Sequence, residues 1–499
     1  MDLIANLNLG FAVAFTTSNL LYCLLGVTLG TLIGVLPGIG PVATIAMLLP
    51  ITFNLPPESA LIMLAGIYYG AQYGGSTSAI LVNMPGEASS VVTAMEGYQM
   101  ARHGRAGAAL SVAAIGSFFA GCVGTLLIAA FAPPLAALAF KFGPPERFSL
   151  YVLGLIAAVV LAHGSLIKAL AMIALGLLLG IIGTDVTSGT QRYTFGIPNL
   201  SDGIGFAIVA MGMFGIAEII RSLENVAKRE VFTSNLKGLW PTRDDLRKSW
   251  KAILRGTGLG SILGILPGGT AILGSFASYM VEKRLAGPSS SFGKGAIEGV
   301  AGPEAANNAA AQTSFIPMLT LGIPSNPVMA LMVGAMIIQG IQPGPQVMTQ
   351  RPELFWGMIA SMWVGNVLLV LLNLPLIGIW VRLLKVPYRL LYPAILLFCC
   401  IGVYSLNNSV VDVVLAAVFG LIGYLFIKLD CEPAPLLLAF VLGPMMEEEL
   451  RRSVNTARGD WTVFFNRPLS LSLLIVAAIL LLIIVAPNIR KKREEAFHE

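Results

Sequence analysis

Long apolar runs separated by short polar breaks dominate this chain, without the period-two alternation that marks half-buried strands. Residues 150–162, 166–182, 410–427 and 469–485 are nearly continuous apolar stretches, approaching or reaching the ~20 residues that a helix needs to cross ~30 Å of hydrocarbon. Lipid offers no partners to loose backbone groups, so helices or a closed barrel are the only spanning options, and unalternating runs exclude the barrel. The pattern predicts an all-α polytopic membrane protein. One run is interrupted where an ordinary membrane helix would keep winding: GTLIGVLPGIGP, residues 30–41, holds two prolines and four glycines.

Composition sharpens the picture. Of 499 residues, 56% are hydrophobic and only 11% charged, with a mean hydropathy of +0.81, whereas soluble domains carry roughly 25% charged residues. A net charge of +5 reports topology in such a chain, where Lys and Arg collect on the cytoplasmic side, and not an affinity for nucleic acid. The five cysteines, Cys23, Cys122, Cys399, Cys400 and Cys431, lie mostly in apolar segments at no metal-ligand spacing and read as free, packed thiols. The N-terminal MDLIANLNLG lacks the basic region of a signal peptide, so the first apolar stretch is expected to stay in place.

The breaks repeat. GTLIGVLPG at residues 30–38 returns as GSILGILPG at 260–268, an offset of 230; NMPG at 83–86 is answered by GIPS at 322–325, an offset of 239. GPPERFSLYVLGLI around Arg147 is echoed by KVPYRLLYPAILLF around Arg389, and EIIR at 218–221 by ELRR at 449–452, offsets of 242 and 231. Four echoes in one order, with offsets drifting by loop-sized amounts, predict two copies of one unit. The expected organisation is an N-terminal segment 1–17, a first transmembrane repeat 18–222, a cytoplasmic connector 223–249 and a second repeat 250–453. A loop, a final transmembrane helix and a basic cytoplasmic tail fill 454–499.

The connector region holds nine basic residues between Arg221 and Arg255, and the positive-inside tendency makes it cytoplasmic. The tail IRKKREEAFHE should be cytoplasmic too; with one crossing over 469–485, the preceding loop 447–467 faces outside. One copy then ends inside and the other outside, so the copies are inverted, and the N-terminus is external. Arg451, Arg452, Arg458 and Arg467 sit awkwardly in that external loop, partly balanced by Glu447, Glu448, Glu449 and Asp460.

Inverted repeats with Pro/Gly-interrupted helices at matching places mark a secondary transporter, with its site at the repeat interface near the midplane. Pro37 removes a helix hydrogen bond, and Gly38 and Gly40 permit turns closed to other residues; Pro267, Gly268, Gly269 and Thr270 repeat the arrangement. A simple kink or close helix packing is the alternative. Polar residues gather at the second pair of breaks: Ser76 and Thr77 precede Asn83, Pro85 and Gly86, while Asn307 and Asn308 precede Pro324, Ser325 and Asn326. Helix N-termini and short polar side chains suit a small anion, with carboxylate the natural ligand, although Ser and Thr also back-bond to their own helices. None of the four motif cores holds Lys or Arg, so a co-transported cation is expected to offset the ligand's charge. Glu87 and Glu304 are the candidate groups for a coupling Na+ or H+, or else helix-start residues at an interface.

Other chemistry is thin, and no catalytic, metal or cofactor site is expected. GPSSSFGKG at 287–295 imitates a phosphate loop with the wrong spacing and with Gly295 where Ser or Thr belongs. His103, His163 and His498 form no ligand set. Residues 91–105, VVTAMEGYQMARHGR, could form an amphipathic interfacial helix with a topological or gating role.

At this point a resemblance emerges. GVLPGIGP, YGGSTSAILVNMPGEASSVVTAMEGYQMARHGRAGAAL, GILPGGTAILGSFASYMVEKR, FGKGAIEGVAGPEAANNAAAQTSFIPMLTLGIPSNP and GNVLLVLLNLPLIGIWVRLL closely resemble the large membrane subunit of the bacterial tripartite tricarboxylate transporters, over residues 20–454. The resemblance implies a permease of about a dozen helices in the bacterial inner membrane. It would work with a small four-helix membrane subunit and a periplasmic solute-binding protein, driven by an ion gradient and not by ATP, on tricarboxylates or other carboxylates. Asn326 and Pro327 in GIPSNPVMA depart from many relatives and point to a different substrate shape; Gln312, Thr313 and Ser314 after the Asn pair, where relatives often carry glycines, are a second departure, and the two leave the exact substrate open. The competing readings are a stand-alone organic-anion symporter and an intramembrane hydrolase. Replacing Asn83 or Asn308 by Ala is expected to cut uptake.

Overall fold

The computed structural model describes residues 3–36, 40–161, 165–185, 188–224, 240–266, 271–287, 291–383 and 388–485. Pro37, Gly38, Pro267, Gly268, Gly269, Thr270, His163, His498 and connector residues 225–239 lie outside them. Nearly everything described is helical; a two-residue antiparallel pairing of Gly183–Thr184 with Gln191–Arg192 is the one sheet among the described residues.

The first half of the chain forms α1 (Leu3–Ala14), α2 (Thr17–Val35), α3 (Gly40–Thr52), α4 (Pro57–Val82), α5 (Val91–Arg102), α6 (Ala106–Ala139), α7 (Pro144–Leu161) and α8 (Leu166–Gly180). α9 (Phe206–Ala210) follows, then a π turn over Met211–Ile216 and α10 (Ala217–Glu224). The second half forms α11 (Arg243–Ile265), α12 (Ala271–Ala286), α13 (Glu298–Thr313), α14 (Phe315–Leu321), α15 (Pro327–Ile338), α16 (Gln346–Gln350) and α17 (Pro352–Asn373). The last helices are α18 (Ile377–Leu383), α19 (Tyr388–Asn407), α20 (Val410–Lys428), α21 (Ala434–Thr456), α22 (Val463–Asn466) and α23 (Pro468–Val485).

The predicted apolar runs fall in α7, α8, α20 and α23. Among the described residues four helices, α2, α6, α17 and α20, are long and apolar enough to cross a membrane, with five shorter apolar helices beside them. Breaks cut other apolar stretches into pieces such as α3 and α15, so length alone does not count the crossings. The distribution of polarity is that of a multi-pass membrane protein. α20 turns Val410, Val414, Val418, Leu421 and Leu425 outward along one stripe, while Ser76, Thr77, Glu304, Asn307 and Asn308 are buried. An apolar rim around a polar interior suits hydrocarbon and would aggregate in water.

Each break has a local cause. α2 ends at Leu36 and α11 at Leu266, both in extended backbone (ψ 102° and 136°), one residue before a proline that cannot continue the ladder. α4 ends at Asn83 (φ 54°) and α14 at Gly322 (φ 72°), both left-handed helix stops. Asn and Gly are the residues that adopt this conformation most readily, so the second pair of echoed motifs ends its helices by one device. α15 restarts with Pro327 at its first position and the Asn326 side chain accepting from the Met329 N–H at 3.0 Å.

The echoed glycines have a shared structural role. A Cβ on Gly26, Gly30 or Gly34 would stand 2.3–2.4 Å from the carbonyl oxygen of Met63, Ile67 or Ala71, so α2 and α4 lie backbone against backbone and run parallel. On α11, Gly256, Gly260 and Gly264 meet the carbonyls of Gly302, Ala306 and Ala310 on α13 at 2.1–2.4 Å. The two ladders are related residue by residue through the offsets 230 and 239 read from the sequence. α12 then turns back along α11, clamped by a two-bond contact of Arg255 with Glu282 at 2.7 and 2.5 Å.

Ion pairs collect at the two ends of the bundle. α6 has 34 residues and spans about 50 Å at 1.5 Å per residue. At its start Arg105 pairs with Asp245, which also closes a capping box with Thr242 at the head of α11. Near the connector, Lys428 and Tyr424 donate to Glu224 and hold its carboxyl below the usual range. Beyond the far end of α6, Arg467 meets Glu146 at 3.1 Å, Arg451 meets Asp185 at 3.0 Å and Glu447 at 2.8 Å, and Arg192 reaches Glu447 at 3.0 Å. The arginines at 451, 452 and 467, awkward for an external loop, are each neutralised by a carboxylate.

Candidate functional site

The two helices that carry the predicted polar residues are the most deeply enclosed. Every residue of α4 from 59 to 81 and every residue of α13 from 299 to 313 is buried. Where the two meet, Glu304 stands at the centre of a polar cluster. Its Oε2 accepts from the Ser76 hydroxyl at 2.5 Å and from the Asn307 amide at 3.4 Å; its Oε1 accepts from the Thr93 hydroxyl of α5. Asn308 donates to Ser117 of α6 at 2.8 Å, to the Glu304 carbonyl at 3.1 Å and to the Asn307 side chain at 2.5 Å. Four helices thus converge on one carboxylate.

Glu87 joins from the break after α4. A Cβ on Gly75 would lie 3.4 Å from the Glu87 Cβ and 3.3 Å from the Ser90 hydroxyl, placing this segment beside Ser76. Ser89 donates to Gln72 at 2.8 Å and Gln72 lies against the Glu87 carboxyl, whereas Asn308 Oδ1 and both polar atoms of Gln312 are buried without a hydrogen-bond partner among the described residues. Buried orphans are costly and mark places where a ligand, ion or water belongs. A small cleft lined by Tyr73, Ser76, Thr77, Ser117 and Asn373 adjoins them. Every buried charged side chain among the described residues is acidic, so an anion here would meet hydroxyl, amide and backbone donors but no fixed cation.

The remaining predicted residues divide. Gly86 packs against the Gly34 carbonyl and the Ser78 hydroxyl, joining the second break of the first half to the end of α2. Asn326 donates to the Tyr68 hydroxyl at 3.4 Å and Ser325 to the Ser314 carbonyl at 3.4 Å. Tyr68 lies two helical turns from Ser76, about 12 Å along α4, so the two breaks reach α4 at separate levels. Pro324 is buried and Pro85 half-buried. Gly40 opens α3 at φ 65°, with free space where a side chain would stand. Asn83 is exposed and serves as a left-handed helix stop. Asn83→Gly should therefore keep uptake within about twofold, and Asn83→Ala should cost about 1 kcal/mol; uptake and a detergent melting curve check both.

Thr93, Glu96, Tyr68, Gln72 and Ser117 were missed from sequence. The helix at 91–102 forms and is largely buried, while Arg102, His103 and Arg105 at its end are exposed. The loop that imitates a phosphate site does bind an anion, supplied by the protein. N–H groups of Gly293, Gly295 and Ala296 donate to the Glu96 carboxylate at 2.5, 2.9 and 2.9 Å, and Tyr279 adds a hydroxyl at 2.9 Å. This nest fixes α5, and with it Thr93, one turn away. The signal was there: Thr93 and Glu96 sit three apart on an otherwise apolar face. Glu96→Gln puts an amide donor against backbone donors and should cost about 1–3 kcal/mol, read as a lower melting midpoint in detergent.

The profile of the "Tripartite tricarboxylate transporter TctA family" matches residues 20–438. The chain belongs to this family. The TctA match covers the helix breaks, the Glu304 cluster and the Glu96 nest, and makes the chain a transporter, the large component of a tripartite transport system. An Agrobacterium vitis protein described as "Uncharacterized 52.8 kDa protein in TAR-I ttuC' 3'region" is 60% identical over 499 residues, 100% of this chain and 99% of its own length. A second from the same organism, "Uncharacterized protein in TAR-II ttuC' 3'region", is 61% identical over 240 residues, 48% of this chain and 99% of its own. No solved structure matches the TctA chain.

Proposed function

We propose that this protein is the permease subunit of a binding-protein-dependent secondary transporter that imports tri- or dicarboxylates by cation symport across the bacterial inner membrane. Its partners in this reading are a small four-helix membrane subunit and a periplasmic solute-binding protein. The observation that carries the proposal is the acidic, orphan-rich polar cluster around Glu304 at the junction of broken helices. A carboxylate ligand cannot enter beside Glu87 and Glu304 unless positive charge comes with it. Glu304, Ser76, Thr93 and Asn307 form a hard oxygen donor set suited to Na+, and the carboxylate itself can carry H+.

Two inverted repeats, 18–222 and 250–453, are the proposed frame. Supporting it are the matched ladders and matched helix stops, and the reciprocal packing of the halves: α6 lies on α13 as α17 lies on α4, and α8 lies on α21 as α20 lies on the π turn. The hairpin of α11 and α12 reaches about 15 Å beyond the Arg255–Glu282 pair, half a bilayer deep. Substrate binds between Ser76 and Tyr68 on α4, and repeat-related parts move to open it inward.

The test is radiolabelled uptake of a di- and tricarboxylate panel in proteoliposomes, with Na+ and H+ gradients imposed separately, with and without binding protein and small subunit. Gradient-dependent accumulation requiring the partners is expected. Accumulation without them would favour a stand-alone symporter, and substrate consumption without accumulation would favour a hydrolase.

A further inference from the structure

At the end of the bundle remote from the connector lies a second, narrow cleft, lined by Arg147 and Tyr151 of α7, Gln342, Gln346, Leu321 and Glu449. Its wall is continuous with the second helix break: Leu321 is the last residue of α14, and the Pro343 carbonyl fills the space of a Gly322 side chain, 2.8 Å from a Cβ placed there. Arg147 belongs to one of the echoed motifs that the central site does not use.

The Arg147–Glu449 contact is long and single-pronged. Arginine–carboxylate pairs built for stability are short and two-pronged, as Arg255–Glu282 is here at 2.7 and 2.5 Å. Arg147 instead makes one contact of 3.4 Å to Glu449 Oε1, while Glu449 Oε2 is buried without a partner and the Glu449 side chain is only 7% exposed. Arg452 approaches the same Oε1 at 3.7 Å, so Glu449 keeps a counter-charge if Arg147 turns away.

We propose that this cleft is an outer capture site for a small carboxylate, in which Arg147 exchanges Glu449 for the incoming anion before it passes along the Gly322–Asn326 break to α4. Arg147 binds the carboxylate, Gln342, Gln346 and Tyr151 supply further polar contacts, and Glu449 acts as the competitor that weakens binding enough for release inward. The inference rests on the carboxylate-transport reading, and its sign pattern separates it from a structural clamp.

The experiment measures uptake kinetics for Arg147→Gln, Arg147→Lys and Glu449→Gln in the full transporter, with equilibrium binding of radiolabelled citrate to the detergent-purified full chain as a second readout. Arg147→Gln should raise KM at least tenfold with Vmax within twofold, Arg147→Lys should fall between it and wild type, and Glu449→Gln should lower KM severalfold by removing the competitor. Unmoved KM in both Gln variants, or an equal loss of Vmax in both, overturns the capture site. If the wild type moves no carboxylate, the transport reading fails by itself; citrate binding then decides, and equal affinity for wild type and Arg147→Gln overturns the inference.

Discussion

Glu304→Gln is expected to abolish gradient-driven accumulation, reducing initial uptake by at least tenfold while the protein reaches the membrane in normal amounts. Gln has the shape of Glu and can still accept from Ser76 or Thr93, so the cluster is not emptied. What is lost is the one negative charge at the meeting point of α4, α5, α6 and α13. If that charge draws the coupling cation into the interior, its removal uncouples substrate from the gradient: accumulation fails, and residual exchange no longer responds to the imposed ion. Uptake with Na+ and H+ gradients applied separately reads this directly. Wild-type accumulation by Glu304→Gln would remove Glu304 from coupling and turn attention to Glu87.

The second large effect is steric. A Cβ on Gly86 would stand 1.7 Å from the Gly34 carbonyl oxygen, well inside any tolerable contact, and the obstacle is backbone in a buried helix that cannot swing aside. Gly86→Val must therefore push the segment after Asn83 away from the end of α2, carrying Glu87 and Ser89 with it. The expected result is a loss of about 3 kcal/mol or more, little folded protein in detergent, and no uptake. Gly258→Ala is the matched control: nothing lies within 4 Å of its Cβ position, so its melting midpoint and uptake should match wild type. A normal Gly86→Val transporter would mean that the junction between the first and second breaks is not tight.

How much of this was legible beforehand depended on the kind of signal. Helix breaks are written in local chemistry, because proline and glycine act on their own backbone; Leu36, Asn83, Leu266 and Gly322 stop helices where the motifs predicted. Glu304, Ser76, Asn307 and Asn308 were legible as polar residues in apolar surroundings. Their convergence was not, since Ser76 and Glu304 are 228 positions apart and nothing local specifies a tertiary pairing. Asn83 carries a second signal that its amide hides: it adopts the left-handed conformation that ends α4. Glu96 was hidden differently. Its partners are backbone N–H groups of a distant loop, which no side-chain pattern announces.

The glycine ladders also limit how such a machine can move. Where two helices touch main chain to main chain over three successive turns, neither can slide past or rotate against the other without driving carbonyl into carbonyl, so each pair must travel as one stiff beam. Any rearrangement is then confined to faces padded by longer, rotatable side chains, and the seams act as fixed rails that decide which parts of the protein are free to shift.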